Sequence, residues 1–372
     1  MIEKILITGG AGFIGSHLSD ELLAHGYKVR VLDNLSSQVH GPDHRRPDYI
    51  DPDVELIVGD IRDPDVVAES LKGIDAVFHL AAMVGVGQSM YQVSQYTSVN
   101  NEGTATLLQA LIDQPVEKLV VASSMSIYGE GLYRSPSNQP VPGQERSLQQ
   151  LKTRDWELHS LDGHTLTPIA TPESKPPSLA SIYALSKFDQ EQMCLVVGRA
   201  YQIPAVALRF FNVYGTRQAL SNPYTGVMAI FASRLMNGNS PMIFEDGLQQ
   251  RDFVSVKDVS CACRLALESA LAEGCAFNIG SGEHYTIKEL AQRICAVMGK
   301  EDIEPQITGK YRVGDVRHCF ADINLARRVL GYEPRVELEA GLTDLVTWLQ
   351  GQIAVDRVDQ ASAELSARGL TV

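Results

Sequence analysis

The chain is short of cysteine pairs and of long apolar runs, and each shortage excludes a class of protein. Its six cysteines form no C-x-x-C pair, so neither a disulfide framework nor a cysteine-based metal site is expected. No run reaches the roughly 18 apolar residues of a membrane span. The first apolar run is only as long as a strand and leads into a turn, so no signal peptide is visible. We expect a cytoplasmic protein with reduced thiols, no metal and no membrane partner.

Basic residues are also scarce, with 32 lysines and arginines against 45 aspartates and glutamates. The formal net charge of −13 argues against nucleic acid as a partner, because nucleic acid attracts basic surfaces. With 44% hydrophobic residues in a chain of 372, a substantial core is expected. Basic residues that gather in a pocket of such an acidic protein would therefore be informative.

A glycine-rich motif, T-G-G-A-G-F-I-G at residues 8–15, is the first feature that indicates a function. It follows an apolar run that predicts a buried strand, and it precedes a helical pattern. Gly9 permits a tight turn, Gly12 lets the backbone approach a pyrophosphate, and Gly15 lets the helix pack closely on its strand. Free N–H groups at the start of the helix favour the phosphates. The order of strand, turn and helix predicts a dinucleotide site.

A carboxylate follows at the distance that such a site requires. The second predicted strand ends in Asp33, 18 residues past Gly15, close to the roughly 20 expected of the residue that binds a ribose 2′-hydroxyl. An acidic group there repels a 2′-phosphate, so NAD is favoured over NADP. Asp60, just beyond the third strand, is expected to reach the adenine amine.

Strands and helices alternate through the first part of the chain, which predicts a Rossmann-type doubly wound parallel sheet. From residue 211 the pattern changes to shorter elements. We expect an NAD-binding domain over residues 1–210, with an insertion loop over 131–177, a smaller C-terminal substrate-binding lobe over 211–350, and a polar tail over 351–372. The predicted strands are Ile5–Ile7, Val29–Leu32, Leu56–Val58, Ala76–Leu80, Lys118–Ala122 and Ala205–Phe210.

Tyr183 and Lys187 carry the predicted chemistry. Residues four apart share a helix face, so the ammonium is expected beneath the phenol and the cofactor ribose. A nearby cation lowers the pKa of Tyr183 toward the working pH, which makes the phenol a general base. Ser124 follows a predicted strand at the same sheet edge and is expected to share the proton of the substrate hydroxyl. By itself, the Tyr-x-x-x-Lys pattern also fits a structural tyrosine with a surface lysine.

From residue 1 to about 345, these motifs resemble those of the extended short-chain dehydrogenases/reductases, in the branch of the nucleotide-sugar epimerases and dehydratases. The resemblance implies NAD as the cofactor and Ser124, Tyr183 and Lys187 as the catalytic residues. It implies the following cofactor-binding residues: Gly9, Gly12, Phe13, Ile14, Gly15, Asp33, Asn34, Asp60, Ile61, Leu80, Ala81, Ala82, Asn100, Tyr183 and Lys187.

The same resemblance places a nucleotide sugar in the smaller lobe. It implies that Arg251 and Arg312 bind the diphosphate, that Asp315 binds the nucleotide ribose, and that Phe244 stacks on the base. Two guanidinium groups offer bidentate recognition of phosphate, although each arginine alone also fits an ordinary surface position. The remaining implied substrate-binding residues are Ser124, Ser126 and Asn212.

The two residues after Ser124 decide which reaction is expected. Dehydratases of this family carry an Asp-Glu pair there, and this chain has Met125 and Ser126. An apolar thioether cannot act as a general acid, so loss of water is not favoured. We expect epimerisation at C4 through a transient 4-keto sugar, in which Tyr183 takes the hydroxyl proton while a hydride passes to NAD⁺ and later returns to the other face.

The sequence restricts the identity of the substrate less than it restricts the reaction. Residues 84–91 put no lysine or arginine next to the sugar, whereas a hexuronate carboxylate usually calls for a cation or a dense set of hydrogen bonds. Together with residues 218–226, they are similar to 4-epimerases of dTDP-L-rhamnose, a 6-deoxyhexose. UDP-glucose/UDP-galactose and UDP-glucuronate 4-epimerases are alternatives. Further alternatives are a net reductase or dehydrogenase of nucleotide sugars and a non-catalytic NAD-sensing protein.

Two features leave their roles open. Residues 131–177 are expected to form a surface loop, with a lid or a subunit contact as alternatives. Relatives commonly pair through the helices after Asn100 and around Tyr183, so a homodimer is expected. The apolar spacing of Thr104, Leu107, Leu108 and Leu111 allows such a contact, but core packing on the sheet explains these residues equally well.

Overall fold

The computed structural model describes residues 2–219, 226–312, 314–352 and 358–371. Its strands are β1 (Lys4–Thr8), β2 (Lys28–Asp33), β3 (Glu55–Val58), β4 (Ala76–His79), β5 (Lys118–Ser124), β6 (Leu132–Arg134), β7 (Pro140–Pro142), β8 (Thr167–Ile169), β9 (Ala205–Phe210), β10 (Asn212–Tyr214), β11 (Met242–Ile243), β12 (Gln250–Arg251), β13 (Phe253–Ser255), β14 (Ala276–Ile279), β15 (Tyr285–Thr286), β16 (Gln306–Ile307) and β17 (His318–Cys319).

Its helices are α1 (Phe13–Ala24), α2 (Ser37–His40), α3 (Pro64–Ser70), α4 (Val86–Ser89), α5 (Val93–Tyr96), α6 (Gly103–Asp113), α7 (Leu148–Lys152), α8 (Ile182–Tyr201), α9 (Val227–Met236), α10 (Val256–Glu268), α11 (Ile287–Val297), α12 (Asn324–Leu330), α13 (Leu338–Leu349) and α14 (Val358–Ala367). A π-helical turn covers Thr97–Glu102, and 3₁₀ turns cover Met125–Tyr128 and Ala270–Ala272. Within the described residues, no helix is long and apolar enough to cross a membrane.

The central sheet has seven parallel strands in the order β3-β2-β1-β4-β5-β9-β14. All six strands predicted from the sequence lie in it, so the Rossmann-type doubly wound sheet is confirmed. The chain runs outward from β1 to one side and from β4 to the other, and Thr8 pairs with His79 where the two directions part. Ligands of such sheets bind at the carboxyl ends of the strands at this switch point.

Apolar strands form the middle layer because helices cover both faces of the sheet. Ile5, Leu6 and Ile7 are fully buried. Helices α1 and α10 pack on one face, and α3, α6 and α8 pack on the other. Within α6, Leu107 and Leu111 are fully buried against the sheet, so core packing explains the apolar spacing of this helix.

The second part of the chain contributes to two cores. Helices α9, α11 and α13 pack together around their own apolar cluster, beside the two-stranded sheets β10–β13 and β11–β16. Strand β14 and helix α10, which also come after residue 210, join the central sheet and its core instead. The boundary at residue 210 between two lobes therefore stays a prediction.

Residues 131–177, here called the inserted segment, form a folded unit rather than a plain surface loop. Strand β6 pairs antiparallel with β7 and with β8. Tyr133, Leu158 and Leu166 form a small separate core beneath these strands. The apolar cluster supplies little burial, so the unit depends on its polar contacts with the rest of the chain.

Those contacts centre on a set of buried charges, here called the arginine cluster. Its members are Glu130, Arg146, Glu157, Glu245, Asp246 and Arg317. Arg317 is fully buried and donates hydrogen bonds to Glu157, Glu245 and Asp246. Arg146 pairs with Glu245 at 2.8 Å. The cluster thus joins the inserted segment to two loops of the second part of the chain.

The last described residues fold back onto the middle of the chain. A Cβ atom placed on Gly87 would lie 3.4 Å from the side chain of Leu365. The guanidinium of Arg368 lies 4.3 Å from the ring centre of Tyr91, and Thr371 pairs antiparallel with Arg312. The expected polar tail thus includes helix α14 and contacts segments that the sequence assigns to the substrate.

Candidate active site

The turn between β1 and α1, residues 8–15, is here called the glycine loop. Gly9 has a φ of +70°, and a Cβ there would lie 2.8 Å from the backbone of Ala81. A Cβ on Gly15 would lie 2.5 Å from the Cα of Gly10. The tight turn at Gly9 and the close packing at Gly15 are both as predicted.

Gly12 differs from its neighbours, because nothing among the described residues requires a glycine there. Its φ of −74° suits any residue, and an added Cβ would meet only the carbonyl of Gly9, at an ordinary 3.4 Å. No side chain caps the N-terminus of α1, and its first turn carries no acidic residue. The open space and the positive helix end fit a pyrophosphate. Residues Phe13 and Ile14 begin this helix.

The carboxylate of Asp33 lies at the end of β2, beside the glycine loop. It accepts backbone hydrogen bonds from Ala11 at 3.0 Å and from Leu35 at 2.9 Å. Each carboxylate oxygen keeps further acceptor capacity, so a ribose hydroxyl can still bind. Asp33 therefore also holds the loop in shape, a task that the sequence did not reveal.

Asp60 is engaged by a neighbour that the sequence analysis did not consider. Arg62 binds both of its oxygens at 2.8 Å, and Asn34 donates to it at 3.2 Å. The hydrogen bonds from Arg62 lower the pKa of Asp60 to about 2. Ile61 beside it is buried against Gly103. The contact of Asp60 with adenine stays a prediction.

The segment after β4 lies against the glycine loop. Backbone N–H groups of Leu80 and Ala81 donate to Thr8, at 3.1 and 3.2 Å. Ala82 follows and is half-buried. Asn100 is fully buried and binds both backbone groups of Met83, accepting at 2.7 Å and donating at 3.1 Å. Asn100 thus holds the strand end that the cofactor would contact.

Ser124 and Tyr183 meet at the same edge of the sheet. Ser124 ends β5, and its Oγ accepts hydrogen bonds from the backbone N–H of Ser126 at 3.2 Å and from its hydroxyl at 2.9 Å. The side chain of Ser124 also acts on Tyr183, because it lowers the pKa of the phenol. Because both acceptor positions of Ser124 are used, its own proton remains available to an acceptor such as the phenol oxygen of Tyr183.

The predicted effect of Lys187 on Tyr183 is not found in the protein alone. Burial raises the pKa of Tyr183, and the hydrogen bond with Ser124 opposes this effect. Burial also lowers the pKa of Lys187 itself, to about 8. The ammonium is 3% exposed and donates to Oε1 of Gln190 at 2.7 Å. Removal from water thus dominates the pKa shifts of both Tyr183 and Lys187, and neither residue is a cause of the other's shift.

Arg251 in β12 is a half-buried cation without a carboxylate partner among the described residues. Its guanidinium donates at 2.9 Å to the carbonyls of Gln250 and Arg317, and it also donates to the carbonyl of Val316. These carbonyls fix its position and leave its charge uncompensated. This geometry suits the diphosphate.

Arg312, Phe244 and Asp315 lie together, but they contact one another. The guanidinium of Arg312 lies 4.6 Å from the ring centre of Phe244 and donates to Asp315 at 2.8 Å. One face of Phe244 is therefore covered by Arg312 in this arrangement. To contact the base, the ribose and the diphosphate as predicted, these residues would need Arg312 to release Phe244 and Asp315. The three contacts stay predictions.

Asn212 and Met125 lie next to each other near Ser124. The Asn212 amide donates to the carbonyl of Asp252 at 2.9 Å and contacts the sulfur of Met125 at 3.3 Å. An apolar thioether therefore occupies the position where a dehydratase would need a proton donor. Of the stretch 218–226, residues 220–225 lie outside the described residues.

Three further residues of the site were missed by the sequence analysis. Ser89 accepts the backbone N–H of Tyr183 at 3.0 Å, which joins the segment 84–91 to the start of α8. Gln190 binds Lys187, and fully buried His79 contacts Gln190 at 3.1 Å. The spacing of three residues between Lys187 and Gln190 and a histidine within an apolar strand were the available signals.

Comparison with known proteins identifies the family of this chain. The NAD dependent epimerase/dehydratase family matches residues 5–154 and 162–280, and the chain belongs to this family. A dTDP-L-rhamnose 4-epimerase of Burkholderia thailandensis is 35% identical over 94% of this chain and 96% of its own. A putative UDP-glucose 4-epimerase of Methanocaldococcus jannaschii is 32% identical over 93% of this chain and 98% of its own. NAD is therefore the cofactor of this protein.

Solved structures give the same fold. UDP-glucose 4-epimerase of Thermotoga maritima, solved with UDP-glucose, has a TM-score of 0.76 at 32% identity and covers 93% of this chain and 98% of its own. UDP-glucuronic acid 4-epimerase of Bacillus cereus, solved with UDP-glucuronic acid and NAD, has a TM-score of 0.77 at 28% identity and covers 93% of this chain and 99% of its own.

Proposed function

We propose that this protein is a 4-epimerase of a nucleotide-diphosphate sugar and that its sugar is L-rhamnose, or a related 6-deoxyhexose, linked to dTDP. The observation that carries the proposal is the combination of Ser124 at the carboxyl end of β5, which lowers the pKa of the Tyr183 phenol, with the buried Lys187 one turn after Tyr183 in α8. The fold does not require these three residues together, whereas the oxidation of an alcohol does. Their combination argues against a non-catalytic NAD-sensing protein.

Ser124 and Tyr183 each have a definite task. NAD, which the glycine loop and Asp33 would hold, would supply the hydride acceptor for C4 and the hydride donor for the return step. Tyr183 takes the proton of the 4-hydroxyl as C4 becomes a ketone and gives it back at the end. Ser124 donates to the phenol oxygen and so favours the phenolate. The net reaction inverts one carbon and consumes no reductant.

Met125 supports epimerisation over loss of water. It is buried between Ser124 and Asn212, where a carboxylic acid would have to stand to protonate a leaving hydroxyl. A thioether is at best a weak acceptor and has no proton to give. The 4-keto sugar is therefore protected from elimination while it turns.

The neutral wall of the segment 84–91 supports a sugar without a carboxylate. Gln88 is buried and exchanges hydrogen bonds with Gln38, at 3.1 and 3.2 Å. Tyr96 donates to Gln88 at 3.2 Å, and its ring lies 6.4 Å from that of Tyr183. The two amides satisfy each other's hydrogen bonds and bring no positive charge to the sugar. The carboxylate of a hexuronate calls for a cation, so this neutral wall favours a 6-deoxyhexose.

Product analysis tests the proposal directly. The purified protein, without added cofactor, is incubated with dTDP-L-rhamnose, UDP-glucose, UDP-galactose and UDP-glucuronate, and the sugars are identified by NMR. We expect inversion at C4, fastest with dTDP-L-rhamnose, and NAD released on denaturation. Stoichiometric consumption of a nicotinamide cofactor would contradict an epimerase, and a preference for a UDP-sugar would contradict the deoxysugar. UDP-glucose is the second candidate, because two of the relatives above carry that name at 32% identity.

We also propose a homodimer through α6 and α8. Leu185 and Val196 are apolar and more than 40% exposed on the outer face of α8, whereas the leucines of α6 named above are buried in the core. Exposed apolar side chains on one helix favour a partner surface. Light scattering of the wild type and of the Leu185→Glu, Val196→Glu double variant tests this, because only the variant should be monomeric. A monomeric wild type would contradict it. The cytoplasmic location stays a prediction.

A further inference from the structure

We propose that Gln190 is a positioning residue that holds the ammonium of Lys187 in place and ties it to the cofactor edge of the sheet through His79 and Thr104. This inference rests on the proposed function, because it gives Lys187 a role in the reaction. It goes beyond the catalytic trio and concerns a side chain that the predicted chemistry did not use.

The contact between the two side chains has only one possible direction. The ammonium of Lys187 can only donate, so the amide oxygen of Gln190 must face it, at 2.7 Å. Lys187 is 3% exposed and Gln190 is fully buried, so water does not compete for either group. The orientation of the Gln190 amide is therefore fixed by Lys187.

The amide nitrogen of Gln190 then points to the opposite side. It donates to Oγ1 of Thr104 at 2.8 Å and lies 3.1 Å from Nε2 of His79. Thr104 in turn donates to the carbonyl of Asn100 at 2.5 Å. Both ends of the amide are thus used, one by the lysine and the other by residues of β4 and α6.

His79 carries the connection to the glycine loop. Its Nδ1 lies 2.8 Å from Oγ1 of Thr8, which accepts the backbone N–H of Ala81 at 3.2 Å. A continuous set of hydrogen bonds therefore runs from Lys187 to the ends of β1 and β4. These are the strands between which the cofactor enters, so Gln190 fixes the lysine relative to that edge.

The charges around Lys187 show why a neutral amide suits this position. Burial lowers the pKa of Lys187 to about 8, while Cys194 and Glu191 on its own helix raise it. Glu191 is already bound by Arg209, at 2.6 and 2.9 Å, and burial lowers the pKa of His79 to about 3, so this ring stays neutral. Gln190 orients the ammonium without neutralising it, which leaves its charge for the phenol of Tyr183 and for the cofactor.

The test compares Gln190→Glu with Gln190→Met and uses Gln109→Glu, at an exposed position of α6, as the matched charge control. The pKa of Lys187 is measured by NMR on protein with ¹³C-labelled lysine, and the Lys187 signal is assigned by its loss in Lys187→Met. A carboxylate in contact raises a lysine pKa by roughly 1–3 units, so we expect that rise in Gln190→Glu and none in the control. The Lys187 signal titrating at the wild-type pH in Gln190→Glu would overturn the proposal.

Kinetics provide the second measurement. In Gln190→Glu the added negative charge also raises the pKa of Tyr183, so the acid limb of the kcat/KM profile should move to higher pH, by roughly 1 unit. In Gln190→Met we expect kcat to fall roughly tenfold while KM for the sugar nucleotide stays within about twofold. If Gln190 has only a structural role, its replacement should lower thermal stability and leave the pH profile and kcat unchanged. That result would contradict the proposal. If the wild type inverts no sugar, the proposed function fails, while the NMR titration still decides the contact.

Discussion

The cofactor edge of the sheet and the arginine cluster both bury polar groups, but they are built in opposite ways. At the cofactor edge, neighbours in the sequence form the glycine loop, and most hydrogen bonds join neutral groups such as Thr8, His79 and Gln190. In the arginine cluster, charges from five separate places along the chain meet, and fully buried Arg317 pairs with three carboxylates. One region is specified by local pattern, and the other by long-range contacts.

This difference explains why sequence reasoning succeeded at one region and failed at the other. Glycines at fixed spacing after a strand restrict the backbone locally, so the roles of Gly9 and Gly15 were readable. No spacing rule links Arg146 to Glu245 or Glu157 to Arg317, because those pairs arise only when the inserted segment docks. The comparison can be tested with variants on both sides.

The largest expected effect is the loss of the proposed general base at the cofactor edge. In Tyr183→Phe we expect kcat to fall by roughly 10³-fold, about 4 kcal/mol of barrier, because the variant lacks the phenol that is proposed to accept the proton of the 4-hydroxyl. Bound NAD and KM should change little, since the ring still packs against Tyr96. NMR assays of C4 inversion measure the first quantity and absorbance after denaturation the second. Undiminished turnover would remove Tyr183 from the chemistry.

The next effect is on stability, in the arginine cluster. Arg317→Met leaves Glu157, Glu245 and Asp246 without their shared partner, and breaking a buried ion pair from one side costs about 3 kcal/mol or more. Urea unfolding measures the loss. The matched control is Arg327→Met, whose pair with Glu333 is exposed and should contribute less than about 1 kcal/mol. Equal losses in both variants would show that burial of the cluster does not matter.

A smaller effect separates cofactor binding from folding at the glycine loop. Gly12→Ala adds a methyl group that the protein accommodates, so unfolding should be unchanged while NAD affinity falls by roughly tenfold or more. Gly15→Ala is the contrasting control, because its methyl would lie 2.5 Å from the Cα of Gly10 and should destabilise the protein itself. Calorimetry with NAD and thermal unfolding together measure both properties. Unchanged NAD affinity in Gly12→Ala would contradict the pyrophosphate site.

Some properties of the site could not be predicted from the sequence at all. Tyr183 and Lys187 were predicted from their spacing to share a helix, and both lie in α8. The sign of the pKa change at Tyr183 was predicted wrongly, because burial depends on how α8 packs against the sheet. Asp60 was placed correctly after β3, yet its partner Arg62 was overlooked, although it stands only two residues away. Two residues that are close in the sequence can therefore form a contact that the sequence does not predict, because each side chain can turn toward several neighbours.

The pair of Asp60 and Arg62 gives the smallest expected effect and the sharpest contrast with Arg317. Both side chains are about one third exposed, so solvent screens them, and Asp60→Asn should change the free energy of unfolding by less than about 1 kcal/mol at pH 7. The pKa of Asp60 is about 2 in the folded protein, below its ordinary 3.8, so the stabilisation is present above pH 3.8 and disappears as the pH falls through 2. Urea unfolding of both proteins from pH 7 to pH 2 should therefore show curves that converge in acid. A difference of several kcal/mol, or one that grows on acidification, would mean that Asp60 is bound as tightly as the carboxylates around Arg317.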